Sequence, residues 1–174
     1  MKKLPIRDVC ILAVFAAVML IIKEAMAALP NVEGVSLLIV LVTVFYGWKA
    51  FFPVAVFVLI EGFLYGFGFW FPFYCIVWPL LVLLVLLLRR PLGTRAWAWA
   101  IVLGLYGFLF GFVYALTLFP VGGISLVTSA YVSGLPFDVT HAVGNFLLVL
   151  LLFLPLYRLM ERLTRPGKTH IMNR

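Results

Sequence analysis

Six apolar runs, each of helix length and most of them closed by a cation, constrain this chain more than any other feature. Hydrocarbon offers a backbone no hydrogen-bonding partner, so such runs cross a membrane as helices whose amides are satisfied internally. They do not alternate polar and apolar in segments of about ten residues, which argues against a membrane β-barrel. Composition agrees. The chain is 66% hydrophobic and 11% charged, with a mean hydropathy of +1.23, whereas a soluble domain is about half apolar and about a quarter charged. The predicted fold class is an all-α integral membrane protein, with a single transmembrane domain over residues 1–174.

In chain order, Met1 to Asp8 is a short basic lead and Val9 to Ile22 the apolar body of a first helix. A basic start, an apolar core and Ala25-Met26-Ala27 also describe a secretory signal peptide. Asp8 in the lead, and an apolar stretch that continues to Leu29, favour a retained spanning helix. Leu29-Pro30-Asn31-Val32-Glu33-Gly34 is a turn cluster. Val35 to Phe45 forms a short second helix, tilted or partly embedded, and Tyr46 to Lys49 an interfacial turn. Ala50 to Phe67 is the third helix and carries Glu61. After the aromatic turn Gly68 to Phe73, the fourth runs from Tyr74 to Leu88 and stops at Arg89-Arg90-Pro91. The fifth opens at Arg95 and Trp97 and reaches Leu118. Phe119 to Ser133, with Pro120, Gly122-Gly123 and several hydroxyls, predicts an irregular re-entrant or interfacial segment. Pro136 suits a first helical turn, so the sixth helix is expected from Phe137 to Met160, with Asp138 near the positive end of its dipole.

This reading places twelve of the thirteen cations on one side: Lys2, Lys3, Arg7, Lys49, Arg89, Arg90, Arg95, Arg158, Arg162, Arg165, Lys168 and Arg174. Lys23 alone falls on the other, beside Glu24. By the positive-inside rule the chain is a multi-pass protein of the cell membrane with both termini cytoplasmic. The same rule accounts for the net charge of +7 without a nucleic-acid partner. Cys10 and Cys75 fall near opposite faces of the bilayer and are not expected to pair.

Hydrogen-bonding side chains crowd the outer half. Asp138, His141 and Asn145 are three and four residues apart and share one helical face. Glu61 lies in the outer half of the third helix; Trp70, Tyr74 and Trp78 lie at the outer turn and in the fourth helix; Asn31 and Glu33 follow the first helix. Ionisable groups at membrane depth mark sites by default, and these nine residues are the candidates for a substrate-binding pocket open to the outside. Each also has a plainer use. The stripe on the sixth helix can be a cap satisfied by neighbouring helices, Glu61 can pair with Lys23, and the aromatic rings can form an interfacial belt. Gly62 and Gly66, like Gly107 and Gly111, are spaced for close helix packing.

Catalysis has little support. There is no Gly-x-Ser-x-Gly elbow and no His-Glu-x-x-His zinc signature, and no metal or cofactor is expected. Gly167-Lys168-Thr169 resembles the end of a phosphate loop, but Arg162 stands where that motif needs Gly. An intramembrane enzyme built on Asp138 and His141 is the weakest reading. An outward pocket without an energy-using motif points to a binding subunit that needs a partner.

In length, six-helix layout and the Ala13-x-x-x-Ala17 spacing of its first helix, the chain resembles the substrate-binding S components of energy-coupling factor (ECF) transporters. The resemblance implies a six-helix bundle that captures a vitamin or related small molecule. It also implies that Ala13 and Ala17 dock on the transmembrane coupling subunit, which carries two ATPases. It names no cargo. The chain is also similar to rod-shape-determining membrane proteins of the D type, which would make it a scaffold with no need of a polar pocket. An epitope at the C-terminus is expected to stay unlabelled in intact cells and to label after permeabilisation; labelling without permeabilisation would reverse the orientation.

Overall fold

The computed structural model describes residues 5–29 and 31–164, and all of its elements are helices. They are α1 (Ile6–Ala25), α2 (Val35–Tyr46), a 3-10 turn (Gly47–Ala50), α3 (Phe51–Tyr65), α4 (Trp70–Leu92), α5 (Ala96–Thr117) and α6 (Phe119–Thr164). Lys2, Lys3, Pro30, Arg165, Gly167, Lys168, Thr169 and Arg174 lie outside the described residues. Among the described residues, four apolar helical stretches are long enough to cross a membrane: 35–65, Trp70–Leu92, Ala96–Thr117 and Phe119–Thr164. The chain is therefore a multi-pass helical membrane protein.

Contacts at the helix ends give the directions. Lys49 Nζ donates to Asp8 Oδ2 at 2.7 Å at one end of α1 and α3, and Lys23 pairs with Glu61 at the other. These two helices therefore run parallel. α2 runs between them in the opposite sense, and all nine of its residues from Val35 to Thr43 are buried. The helix expected to be tilted or partly embedded is thus the centre of the bundle, packed by α1, α4 and α6. Its sequence is apolar on every side, as a fully buried helix must be. Thr43 Oγ1 donates to the Ile39 carbonyl at 2.6 Å, so even its buried hydroxyl is satisfied within the helix.

α5 and α6 form the longest interface, antiparallel, with Gly111 beside Asp138 and the Trp99 ring tilted against Phe153. Lipid tails are as apolar as leucine, so close van der Waals packing rather than hydrophobic transfer holds such a pair. Gly107 makes the approach possible: a Cβ there would lie 3.0 Å from the His141 backbone carbonyl. At Gly111 the space a Cβ would need is filled by the Asp138 carboxylate.

The irregular segment expected between the fifth and sixth helices is instead helical. α6 begins at Phe119, breaks only at Gly122 and Gly123, where Gly123 has φ 61°, and then runs on to Thr164. The hydroxyls that suggested a loop bond back to carbonyls of their own helix, Thr128 to Ile124 at 3.0 Å and Ser133 to Ser129 at 2.9 Å. Pro136 therefore lies inside the helix, and Asp138 is in mid-helix rather than at a positive helix end. Trp70 likewise belongs to the first turn of α4 and not to the preceding turn.

Two glycine substitutions should move stability in opposite directions. Gly107→Ala meets backbone that cannot yield and should cost about 1–3 kcal/mol. Gly134→Ala, with nothing within 4 Å of the new methyl, should stabilise the α6 interior by about 0.5–1 kcal/mol. Thermal unfolding of the purified protein in detergent checks both; a neutral Gly107→Ala would remove the close-approach argument.

Candidate functional site

The loop between α1 and α2 folds back over the bundle through short-range hydrogen bonds, Leu29 N–H to the Met26 carbonyl at 2.9 Å and Val32 N–H to the Leu29 carbonyl at 3.2 Å. Asn31 takes φ 55°, a left-handed conformation that asparagine tolerates better than most side chains. The loop delivers Glu33 to the N-terminus of α2. There its carboxylate accepts from Ser36 N–H at 2.8 Å and from Ser36 Oγ at 2.5 Å. A negative group on the unpaired amides of a helix start is favourable.

Glu33 also reaches across to α6. His141 Nε2 lies 3.2 Å from Glu33 Oε1. Asn145, one turn further along, satisfies both ends of its amide when Nδ2 donates to Glu33 Oε1 at 3.1 Å and Oδ1 accepts from His141 Nε2 at 3.1 Å. An acid, an imidazole and an amide thus close a three-membered network between α2 and α6. Burial by itself pushes the Glu33 carboxyl up, but the His141 and Ser36 bonds outweigh it and hold it below its ordinary 4.5.

Beside this network is a hollow of about 270 Å³. Its wall is formed by Lys23 and Met26 at the end of α1, Ala27, Leu29, Asn31, Val32 and Glu33 of the loop, Val35, Tyr74 and Trp78 of α4, Phe110 of α5 and His141. One side is a run of rings. Trp70 and Tyr74 are 5.1 Å apart between centroids, Tyr74 and Trp78 5.5 Å, Trp78 and Phe110 5.4 Å, and Phe110 and His141 4.7 Å. Most of these contacts are edge-to-face, the geometry that aromatic quadrupoles favour. Trp78 Nε1 and His141 Nδ1 are buried with no hydrogen-bond partner among the described residues.

Of the nine candidates, the structure brings Asn31, Glu33, Tyr74, Trp78 and His141 to one hollow. Asn145 stands behind them as a brace, and Trp70 backs Tyr74. Two residues are elsewhere. Asp138 turns to α5, where its Oδ1 accepts from the Gly111 N–H at 2.9 Å. Glu61 is buried against Lys23, whose ammonium also sits 4.7 Å from the Tyr65 ring centre, and Tyr65 in turn hydrogen-bonds Glu24. Lys23 and Phe110 line the hollow without having been singled out. Lys23 was the one cation on the outer side, which was the available signal; Phe110 lies in a wholly apolar run and carried none.

Ala13 and Ala17 are exposed on α1, along a groove shared with Phe52, Pro53 and Val56 of α3. Among the described residues no group of three or more His, Cys, Asp or Glu side chains is placed to hold a metal ion. No family model, curated protein or solved structure matches the chain.

Because the folded state favours the Glu33 carboxylate, its contribution to stability is complete above pH 4.5 and fades as pH falls through the lower folded value. Glu33→Gln should cost about 1–3 kcal/mol at pH 7 and flatten the acid limb of the stability profile. Thermal melts from pH 7 to pH 3 test this; an unchanged acid limb would show that the network does not hold Glu33 ionised.

Proposed function

We propose that this chain is a high-affinity membrane-embedded binding subunit for uptake of a vitamin or related small molecule, working as the S component of an ECF transporter. The observation that carries this reading is the hollow at one end of an otherwise apolar bundle, walled by aromatic rings and by Glu33, His141 and Asn31. Pockets of this kind, largely apolar with a few placed polar groups, are what small-molecule sites look like. At about 270 Å³ it takes a compact cargo, below the roughly 300–1,000 Å³ of most ligand pockets. The cargo stacks on Tyr74 and Trp78, while Trp78 Nε1 and His141 offer it hydrogen bonds. Glu33 and Asn145 hold His141 in place. The chain catalyses no reaction on its cargo.

All six helices cross the plasma membrane in this reading, with both termini cytoplasmic and the hollow facing out. Lys23, paired with Glu61, ties α1 to α3 beside the mouth. The exposed Ala13 and Ala17 meet the coupling subunit, and its two ATPases drive release of cargo to the inside. A scaffold of the rod-shape-determining D type is the competing reading, but it gives no use to buried polar groups gathered around a hollow.

The test separates capture from transport. Mass spectrometry of protein purified from cells should detect a retained small molecule, and His141→Ala or Trp78→Ala should lower its retention at least about tenfold, the equivalent of roughly 1.4 kcal/mol. Ala17→Trp should retain the same molecule yet abolish uptake. Wild-type protein that carries nothing, with cell-shape defects in its deletion strain, would favour the scaffold.

A further inference from the structure

At the end of the bundle remote from the hollow, two cavities lie end to end. One is a polar pocket of about 220 Å³ bounded by Arg7, Asp8, Tyr46, Lys49 and Thr164. The other is a groove of about 340 Å³ between α1 and α6, with α2 as its floor. Ile11, Val14 and Val18 form one wall of the groove, Leu156 and Met160 the other, and no lining residue is charged. The two meet where the Arg7 guanidinium hydrogen-bonds the Leu163 carbonyl, since Leu163 lines the groove and Thr164 the pocket.

We propose that this pair of cavities is a binding site for one anionic phospholipid, its phosphate in the Arg7–Lys49 pocket and an acyl chain in the groove. Charge and donor counting select the headgroup. Among the residues lining the pocket, Arg7 and Lys49 face one acid, Asp8, which takes a single bond from Lys49 at 2.7 Å. A guanidinium has five N–H donors and an ammonium three, so most of their donors are uncommitted by the protein bonds described. The local sum is positive and rich in donors, which suits a phosphodiester without a compensating choline.

The groove selects a chain rather than a free anion. It opens sideways along α1, where Val14 is 60% exposed, and runs from the charged end toward mid-membrane. From residue 10 to residue 18, α1 rises about 12 Å, enough for the headgroup-proximal part of an acyl tail. Straddling α1 and α6, such a lipid staples the first helix to the last at the end opposite the hollow. The site is independent of which way the chain faces and of what the hollow binds.

Native mass spectrometry of the full chain, released from nanodiscs of mixed phosphatidylglycerol and phosphatidylcholine, tests this. Wild type should keep one phosphatidylglycerol in preference to phosphatidylcholine. Arg7→Gln should weaken that retention about fivefold, since a basic residue near the headgroup is worth about 1 kcal/mol. Asp8→Asn removes the competing anion and should strengthen it by a similar factor; a gain of binding cannot come from misfolding. Val14→Trp fills the groove and should release the lipid. Equal retention of both lipids by wild type, or an Asp8→Asn protein that binds no more tightly, would overturn the proposal. So would a Val14→Trp protein that still holds phosphatidylglycerol, which would mean that the pocket binds the headgroup alone.

Discussion

The contact on which the rest of the structure depends is the close approach of α5 and α6. Gly107 lets the α5 backbone meet the α6 backbone at His141, and that distance sets how far His141 and Asn145 reach past α5 toward α2. With α6 further out, Glu33 would lose its two partners on α6 and keep only Ser36. A buried carboxylate stripped of its partners is among the costliest defects a protein can carry. Packing of apolar surface and pairing of polar groups are thus one constraint here. The glycine on α5 permits the network on the other side of α6.

The polar groups divide by how fully they are satisfied. Glu33 is saturated by Ser36, His141 and Asn145; it orients its neighbours and has little left to give. Asp138 is half satisfied, with Oδ1 on the Gly111 amide and Oδ2 without a partner among the described residues. Trp78 Nε1 and His141 Nδ1 are without partners at two residues of the hollow's wall. Buried donors and acceptors are rarely left so.

Much of this was legible in the chain. The runs that became α3 to α5 follow from hydropathy alone, and Asn31 and Glu33 fell in a turn because Pro30 and Gly34 bracket them. Two things were not legible. The centrality of α2 was hidden because a helix apolar all round reads the same whether lipid or protein surrounds it. The start of α6 was hidden because Pro120, Gly122-Gly123 and the hydroxyls after them look like a break and Pro136 like a first turn, while back-bonded hydroxyls and a proline can persist within a long packed helix. The stripe of Asp138, His141 and Asn145 was correctly placed on one face, yet a shift of three residues sends Asp138 to Gly111 and His141 to Glu33. Periodicity gives a face; it does not say which neighbour each residue on that face will find.

Helix rise supplies a depth scale that the hollow must satisfy. Measured at 1.5 Å per residue, Arg7 to Lys23 on α1 is about 24 Å, Arg89 to Tyr74 on α4 about 22 Å, and Arg158 to His141 on α6 about 26 Å. Three helices of unrelated sequence thus put the hollow's wall at one distance from the basic end, in a hydrocarbon core of about 30 Å. Against a core of that thickness the hollow lies near the end opposite the cations. Beyond the break at Gly122 and Gly123, α6 runs on to Thr164, a length of about 62 Å, and extends past that level. Asp138 is the only charged residue between Ala96 and Tyr157, so the projecting end of the α5–α6 hairpin is uncharged, with Phe119, Val121 and Ile124 exposed. A charged tip would be anchored in water. An uncharged one lies at an interface without desolvating a charge.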